Sequence, residues 1–346
     1  MIPTHPTALE HLAQQMLVEL CSLDSGSGHE ASLLPAVVPM LERLGAQVEI
    51  REPAPGRCNV LASWGDPRIL FSTHLDTVPP FLPVRVEEGR VFARGACDAK
   101  GQMVAQVLAI RQMLAEGRTG FAWLGVCGEE TDSLGAVDAL AWKPRFSACR
   151  ALINGEPTDL KLATGQRGVD HLHLRCTGRA AHSGSPHLGH SAVLDLLDWM
   201  QDLRKLPCAE DSQLGPEVWN LGLLCGGHAV NVVPAEAEAH LHVRTLPDSA
   251  FRAQVEALRP SRGELSVLLS EPPDLYPHVP GFDHAPMPFG SDAPQLRDLI
   301  PDRTVVLAGP GTITVAHTDE EHLSLTDLLA GIDLNRRLAL HFLEKP

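Results

Sequence analysis

The chain lacks several things at once, and each absence removes a class of function. Nowhere in its 346 residues does an apolar run approach the roughly 20 residues needed to span a bilayer, so a helical membrane protein is not expected. Basic residues are outnumbered, 28 against 43 acidic, for a formal net charge of −15. Nucleic acid and anionic membrane both demand a basic surface to displace counterions, and neither is an expected partner. The eight cysteines are scattered without a CxxC pair, which argues against a zinc ribbon or a disulfide framework and fits a reducing cytoplasm. The opening stretch MIPTHPTALEHLAQQMLVEL has no basic region followed by an apolar one, and predicts an amphipathic helix from Leu9 to Leu20 rather than a signal peptide. There is no internal repeat and no low-complexity tract. With 44% apolar residues the composition is that of a folded protein, and the length exceeds the roughly 250 to 300 residues of a single core, so two domains are expected.

What is present is an alternation. The runs RILFST (68 to 73), FAWLGV (121 to 126), RALING (150 to 155) and TVVLAG (304 to 309) read as strands, with helices near 32 to 44, 102 to 116 and 323 to 342. That order predicts an α/β fold with helices on both faces of a sheet. Between about 169 and 282 the pattern becomes alternating strands (VDHLHLRC, AEAHLHVRT) with two amphipathic helices (190 to 204, 248 to 258), as in a smaller α+β insert. The expected organisation is a discontinuous catalytic domain, 1 to 168 and 283 to 346, interrupted by a lid, 169 to 282. The proline-rich PPDLYPHVPGFDHAPMP is the return linker.

In open α/β sheets ligands bind beyond the carboxyl ends of strands. His74 and Asp76 follow the first of these strands, Glu129 and Glu130 the second, Glu156 the third, and His317 lies in the loop after the fourth. Asp98, in GACDAKG, sits just before a helix. Any one of these could be a cap or a solvated loop residue. Together, two histidines and three carboxylates give one His and one carboxylate to each of two metal ions plus a carboxylate bridge, a donor set that suits Zn²⁺. Asp76, two residues from His74, is placed to orient its imidazole. The HLH repeats at 171 to 173 and 240 to 242 put a histidine pair on one face of each strand, able to bind adventitious metal but read as a solvated or dimer-facing surface, and Cys97 reads as a packing residue.

Seven motifs, HLDTVP, ARGACDAKG, GEE, EPT, RAAHSG, NVVP and GPG with a later AHT, occur in an order and spacing that resemble the dinuclear zinc aminoacylase and carboxypeptidase family. That family includes acetylornithine deacetylase, succinyl-diaminopimelate desuccinylase and glutamate carboxypeptidase. The resemblance implies two Zn²⁺, with Co²⁺ able to substitute. It puts His74 and Glu156 on one ion, Glu130 and His317 on the other, and Asp98 as the bridge. It further implies Glu129 as general base, a cis peptide between Asp98 and Ala99, and His182 as a lid histidine serving the partner subunit of a homodimer. Asn231 and Arg244 are implied to bind substrate, and Gly309 to Gly311 to form a loop near its carboxylate. Ala93 and Ala99 depart from the family's common residues without touching a ligand.

The expected activity is zinc-dependent removal of an acyl group from an N-acyl amino acid, as in acetylornithine deacetylase. The short connection VPPFLPVRVEEGRVFARG looks like that of enzymes releasing lysine or ornithine from an amino-group carrier protein, which is one alternative. A dipeptidase or carboxypeptidase is another. A metal-free binding module would lack a ligand or the base, and none is missing. Because two Zn²⁺ would roughly cancel Asp98, Glu129, Glu130 and Glu156, a substrate carboxylate needs a separate cation. Arg244 is the candidate.

Overall fold

The computed structural model describes residues 8 to 344. Its main strands are, in chain order, β1 (Gln47–Ala54), β2 (Arg57–Trp64), β3 (Ile69–His74), β4 (Phe121–Val126), β5 (Ala151–Asn154), β6 (Gly168–Thr177), β7 (Val218–Gly226), β8 (Glu236–Thr245), β9 (Gly263–Glu271) and β10 (Val305–Leu307). The principal helices are α1 (Ala8–Cys21), α2 (Leu34–Arg43), α3 (Lys100–Ala115), α4 (Ala192–Leu203), α5 (Phe251–Ala257) and α6 (Leu325–Glu344). Among the described residues no helix is long and apolar enough to cross a membrane.

The chain divides into two compact units. One comprises the chain up to Ala163, Tyr276–Ala285 and the chain from Ser291 on; the other comprises Thr164–Leu275 and Pro286–Gly290. The first is built on a six-stranded sheet in the order β1-β2-β4-β3-β5-β10. Strands β4, β3, β5 and β10 run parallel, while β1 and β2 form an antiparallel hairpin joined to β4. Every residue of β3, β4 and β5 is buried, as expected for parallel strands covered on both faces, which is why they read as unbroken apolar runs. Helix α3 is buried almost all round and shares the main core with α1 and α6.

The fold is α/β, as the alternation predicts, but the hairpin of β1 and β2 has no clear trace in the sequence. Strand β1 is a sheet edge with charged residues, Pro53 and no fully buried position, so the period of two is lost.

The second unit carries a four-stranded antiparallel sheet, β7-β8-β6-β9. Leu172, Leu174, Cys176, Ala237, Ala239, Leu241 and Val243 point from β6 and β8 into a core with Leu196, Trp199 and Leu203 of α4 and Phe251 and Val255 of α5. The alternate residues, His171, His173, Glu238, His240 and His242 among them, take the opposite face.

Candidate metal centre

Register brings the site together. In the sheet His74 pairs with Val126, Ser72 pairs with Asn154, and Asn154 pairs with Leu307. Glu156 therefore leaves its strand level with His74, and Glu129 and Glu130 stand in the next loop along. The ligand atoms of His74, Asp98 and Glu156 lie within 4.8 Å of one another, and so do those of Asp98, Glu130 and His317. Asp98 is common to both groups. Its Oδ1 is 2.9 Å from His74 Nε2 and its Oδ2 3.4 Å from His317 Nε2, which is also 3.0 Å from Glu130 Oε1. His317 reaches this position from a left-handed backbone, φ 62°, uncommon outside glycine. The Asp98–Ala99 peptide is cis.

Asp76 does more than the sequence suggests, and by a different route. His74 Nδ1 lies 2.9 Å from the backbone oxygen of Asp76, whereas the nearer carboxylate oxygen is 3.6 Å away. The carboxylate accepts instead from the backbone N–H of Glu129 (3.1 Å), that of Glu130 (3.1 Å) and the Ser27 hydroxyl (2.7 Å). One residue thus fixes the imidazole and the loop of paired glutamates.

The electrostatics follow from crowding carboxylates around two imidazoles. Burial pushes the Glu129 carboxyl well above its ordinary range; His74 opposes this and Glu156 adds to it. Glu156 is raised in the same way, by burial first. Burial would raise Asp98 too, yet hydrogen bonds from His317 and His74 outweigh it and hold the carboxyl well below its usual value. In return, hydrogen bonds to Asp98 and Glu130 raise His317 to about 10. His74 is raised as well, its contacts with Asp76 and Asp98 overcoming burial. Carboxyl groups outnumber imidazoles here, the donors are imidazole nitrogen and carboxylate oxygen, and Asp98 belongs to both groups. That donor chemistry fits a pair of borderline divalent cations.

Several supporting residues escaped sequence reasoning. Buried Glu321 accepts from the backbone N–H of Gly95 (3.0 Å), Cys97 (3.2 Å) and Asp98 (3.1 Å), and from Arg94 Nη1 (2.6 Å). It holds the loop that presents Asp98. Gln102 of α3 donates to the carbonyls of Cys97 (3.0 Å) and Pro310 (2.8 Å), tying that loop to the one before His317. Buried Asp292 adds to the negative field on Glu129 and Glu156. Its only sequence signal is GSD before a short helix. Gly309 and Gly311 have packing reasons of their own: a Cβ would lie 1.9 Å from Gln102 Oε1 at the first and 2.6 Å from Cys97 Sγ at the second.

His182, Asn231 and Arg244 belong to the second unit. His182 and Asn231 are exposed and adjacent, with Ser183 N donating to Asn231 O (3.0 Å), while Arg244 is half-buried on β8.

A family model described as peptidase family M20/M25/M40 matches residues 70–341. A protein of Aspergillus terreus named "Probable carboxypeptidase" is 35% identical, the match covering 92% of this chain and 84% of that protein. Among solved structures, a tripeptidase of Staphylococcus aureus superposes with a TM-score of 0.81 at 20% identity, covering 96% of this chain and 98% of the other. A dinuclear metal-binding peptidase of Bacillus subtilis does so with a TM-score of 0.70 at 15% identity, covering 96% and 98%.

Proposed function

Because the chain belongs to peptidase family M20/M25/M40, and is thus a metal-dependent hydrolase of amide bonds, we propose that it cleaves an amide whose amine belongs to an amino acid with a free α-carboxylate. Short peptides cut from the carboxyl end are the favoured substrates, in line with the relative named for carboxypeptidase activity. N-acyl amino acids share the same scissile group and are the second class. The observation that carries the reading is the double cluster around Asp98, with Glu129 beside it.

In this reading His74 and Glu156 would hold one zinc ion and Glu130 and His317 the other, with Asp98 available to both. When bound, such ions polarise a carbonyl and acidify a water molecule. Glu129 supplies what they do not. Its carboxylate takes a proton from the attacking water and returns it to the departing nitrogen, a role suited to a carboxyl raised towards neutrality by burial. Asp76 holds the backbone that presents both glutamates by accepting from their two N–H groups. Arg244 is the cation for the α-carboxylate, with Asn231 and the Gly309–Gly311 loop as further substrate contacts.

The second unit is proposed as lid and dimerisation domain. Its edge strands β7 and β9 each pair on one side only and expose Leu223, Leu224, Val267, Leu268 and Leu269, as a surface awaiting a partner would. His182 then serves the neighbouring subunit. The unpaired cysteines agree with a cytoplasmic protein.

The test is a screen of the zinc-loaded protein against dipeptides, including those ending in lysine or ornithine, and against N-acetyl and N-succinyl amino acids, measuring released amino acid. Each active substrate is then compared with its C-terminal amide. Turnover should fall sharply on amidation; equal rates would refute recognition of the carboxylate.

A further inference from the structure

The face of the second unit's sheet opposite its helices carries histidines that the proposed reaction does not use. His173 on β6 and His240 on β8 are direct cross-strand partners, and so are His171 and His242. Glu238 lies two residues before His240 on the same face. The ligand atoms of His173, Glu238 and His240 lie within 4.8 Å of one another, the same closeness as in the two groups around Asp98. All three belong to the second unit, on adjacent strands of one hydrogen-bonded sheet, so their backbones are fixed independently of any ligand. We propose that His173, Glu238 and His240 form a separate binding site for one borderline divalent ion, zinc, nickel or copper, on the face of this sheet opposite its helices.

The surroundings favour a cation over a simple ion pair. Glu238 Oε2 is 3.1 Å from His173 Nε2, and the neighbouring arginine does not compete for it, because Arg175 bonds Glu236 at 3.0 Å. The His173 and His240 rings stack with centroids 4.5 Å apart. His171 Nε2 lies 3.0 Å from His240 Nδ1. With His240 donating from Nδ1 to His171, its Nε2 keeps a lone pair, the outer partner that metal-binding histidines commonly have. Cys225, the β7 neighbour of Glu238, lines a surface hollow together with His173 and Glu238. Two histidines and a carboxylate, with water completing the shell, is a donor set for zinc, nickel or copper rather than calcium or magnesium.

The experiment compares zinc uptake by the whole protein, already loaded at its catalytic centre, with that of His173→Asn/His240→Asn. Equilibrium dialysis against rising free Zn²⁺, with metal content measured, should show one more zinc per chain in the wild type than in the double variant, at unchanged turnover. Glu238→Gln alters an exposed side chain and guards against misfolding of the double variant. Losing a direct ligand should weaken that extra zinc by at least the roughly ten-fold typical of losing an outer partner. Equal uptake by the wild type and both variants overturns the proposal. So does wild-type uptake that stops at the catalytic complement.

Discussion

Adjacent glutamates at 129 and 130 have different fates because Asp76 fixes the backbone between them. Glu130 comes within 3.0 Å of His317, while Glu129 is pushed towards the protonated form by burial. Glu129→Gln is therefore expected to retain both metal ions and lose roughly 10² to 10⁴ in kcat, measured together with metal content. A variant that loses metal in parallel would reveal a ligand instead of a proton carrier. Glu321 acts one step further out. Glu321→Gln should weaken metal retention by about 10- to 100-fold under chelator competition, because it loosens the three backbone N–H groups that set Asp98. Unchanged metal affinity would mean that Arg94 and the loop hold themselves.

At the scale of elements, the parallel strands bring the donors level and α3 locks the loops beyond them. Gln102 joins the Asp98 loop to the loop after β10, and Gly309 passes so close to it that a methyl group has no space. Because one of the clashing atoms is the backbone oxygen of Glu156, 2.7 Å from the added Cβ, relief cannot come from a side-chain rotation alone. Gly309→Ala should cost about 1 to 3 kcal/mol of stability in denaturant unfolding and displace Glu156. Wild-type stability with full metal binding would show that the loop yields freely. The elements legible in the sequence are the apolar runs β3, β4, β5 and β10, the strands β6 and β8 with their alternation, and the main helices. Strands β1, β7 and β9 were not, because each is an edge whose side chains meet solvent on both faces and so carry no alternation.

For the whole molecule, prolonged chelation should abolish hydrolysis and added Zn²⁺ or Co²⁺ should restore it, since the ligands gather only in the folded chain. Activity in a preparation assayed as metal-free would contradict the mechanism. The proposed dimer gives a second whole-molecule expectation. If His182 serves the partner's centre, mixing inactive Glu129→Ala with inactive His182→Ala, with subunit exchange, should regenerate roughly a quarter of the wild-type sites for random pairing. Heterodimers that form without recovering activity would assign His182 to the lid surface.

The sequence by itself determined the strand ends and the residues standing on them, because a buried parallel strand must be apolar and any acid or histidine at its tip is conspicuous. It could not determine which carboxylates face one another. The motif resemblance pointed to Asp98 as the shared carboxylate, but only the tertiary structure set its two oxygens against His74 and His317, and only the packed loops revealed Glu321, Gln102 and Asp292, whose partners lie far away in the chain. The same holds in the second unit. His173, Glu238 and His240 look like ordinary surface residues in the sequence, and become a cluster because β6 and β8 pair in a register that sets His173 opposite His240. Pairing across 67 residues of chain is settled by backbone hydrogen bonds and the buried face beneath, and neither is written at the positions themselves.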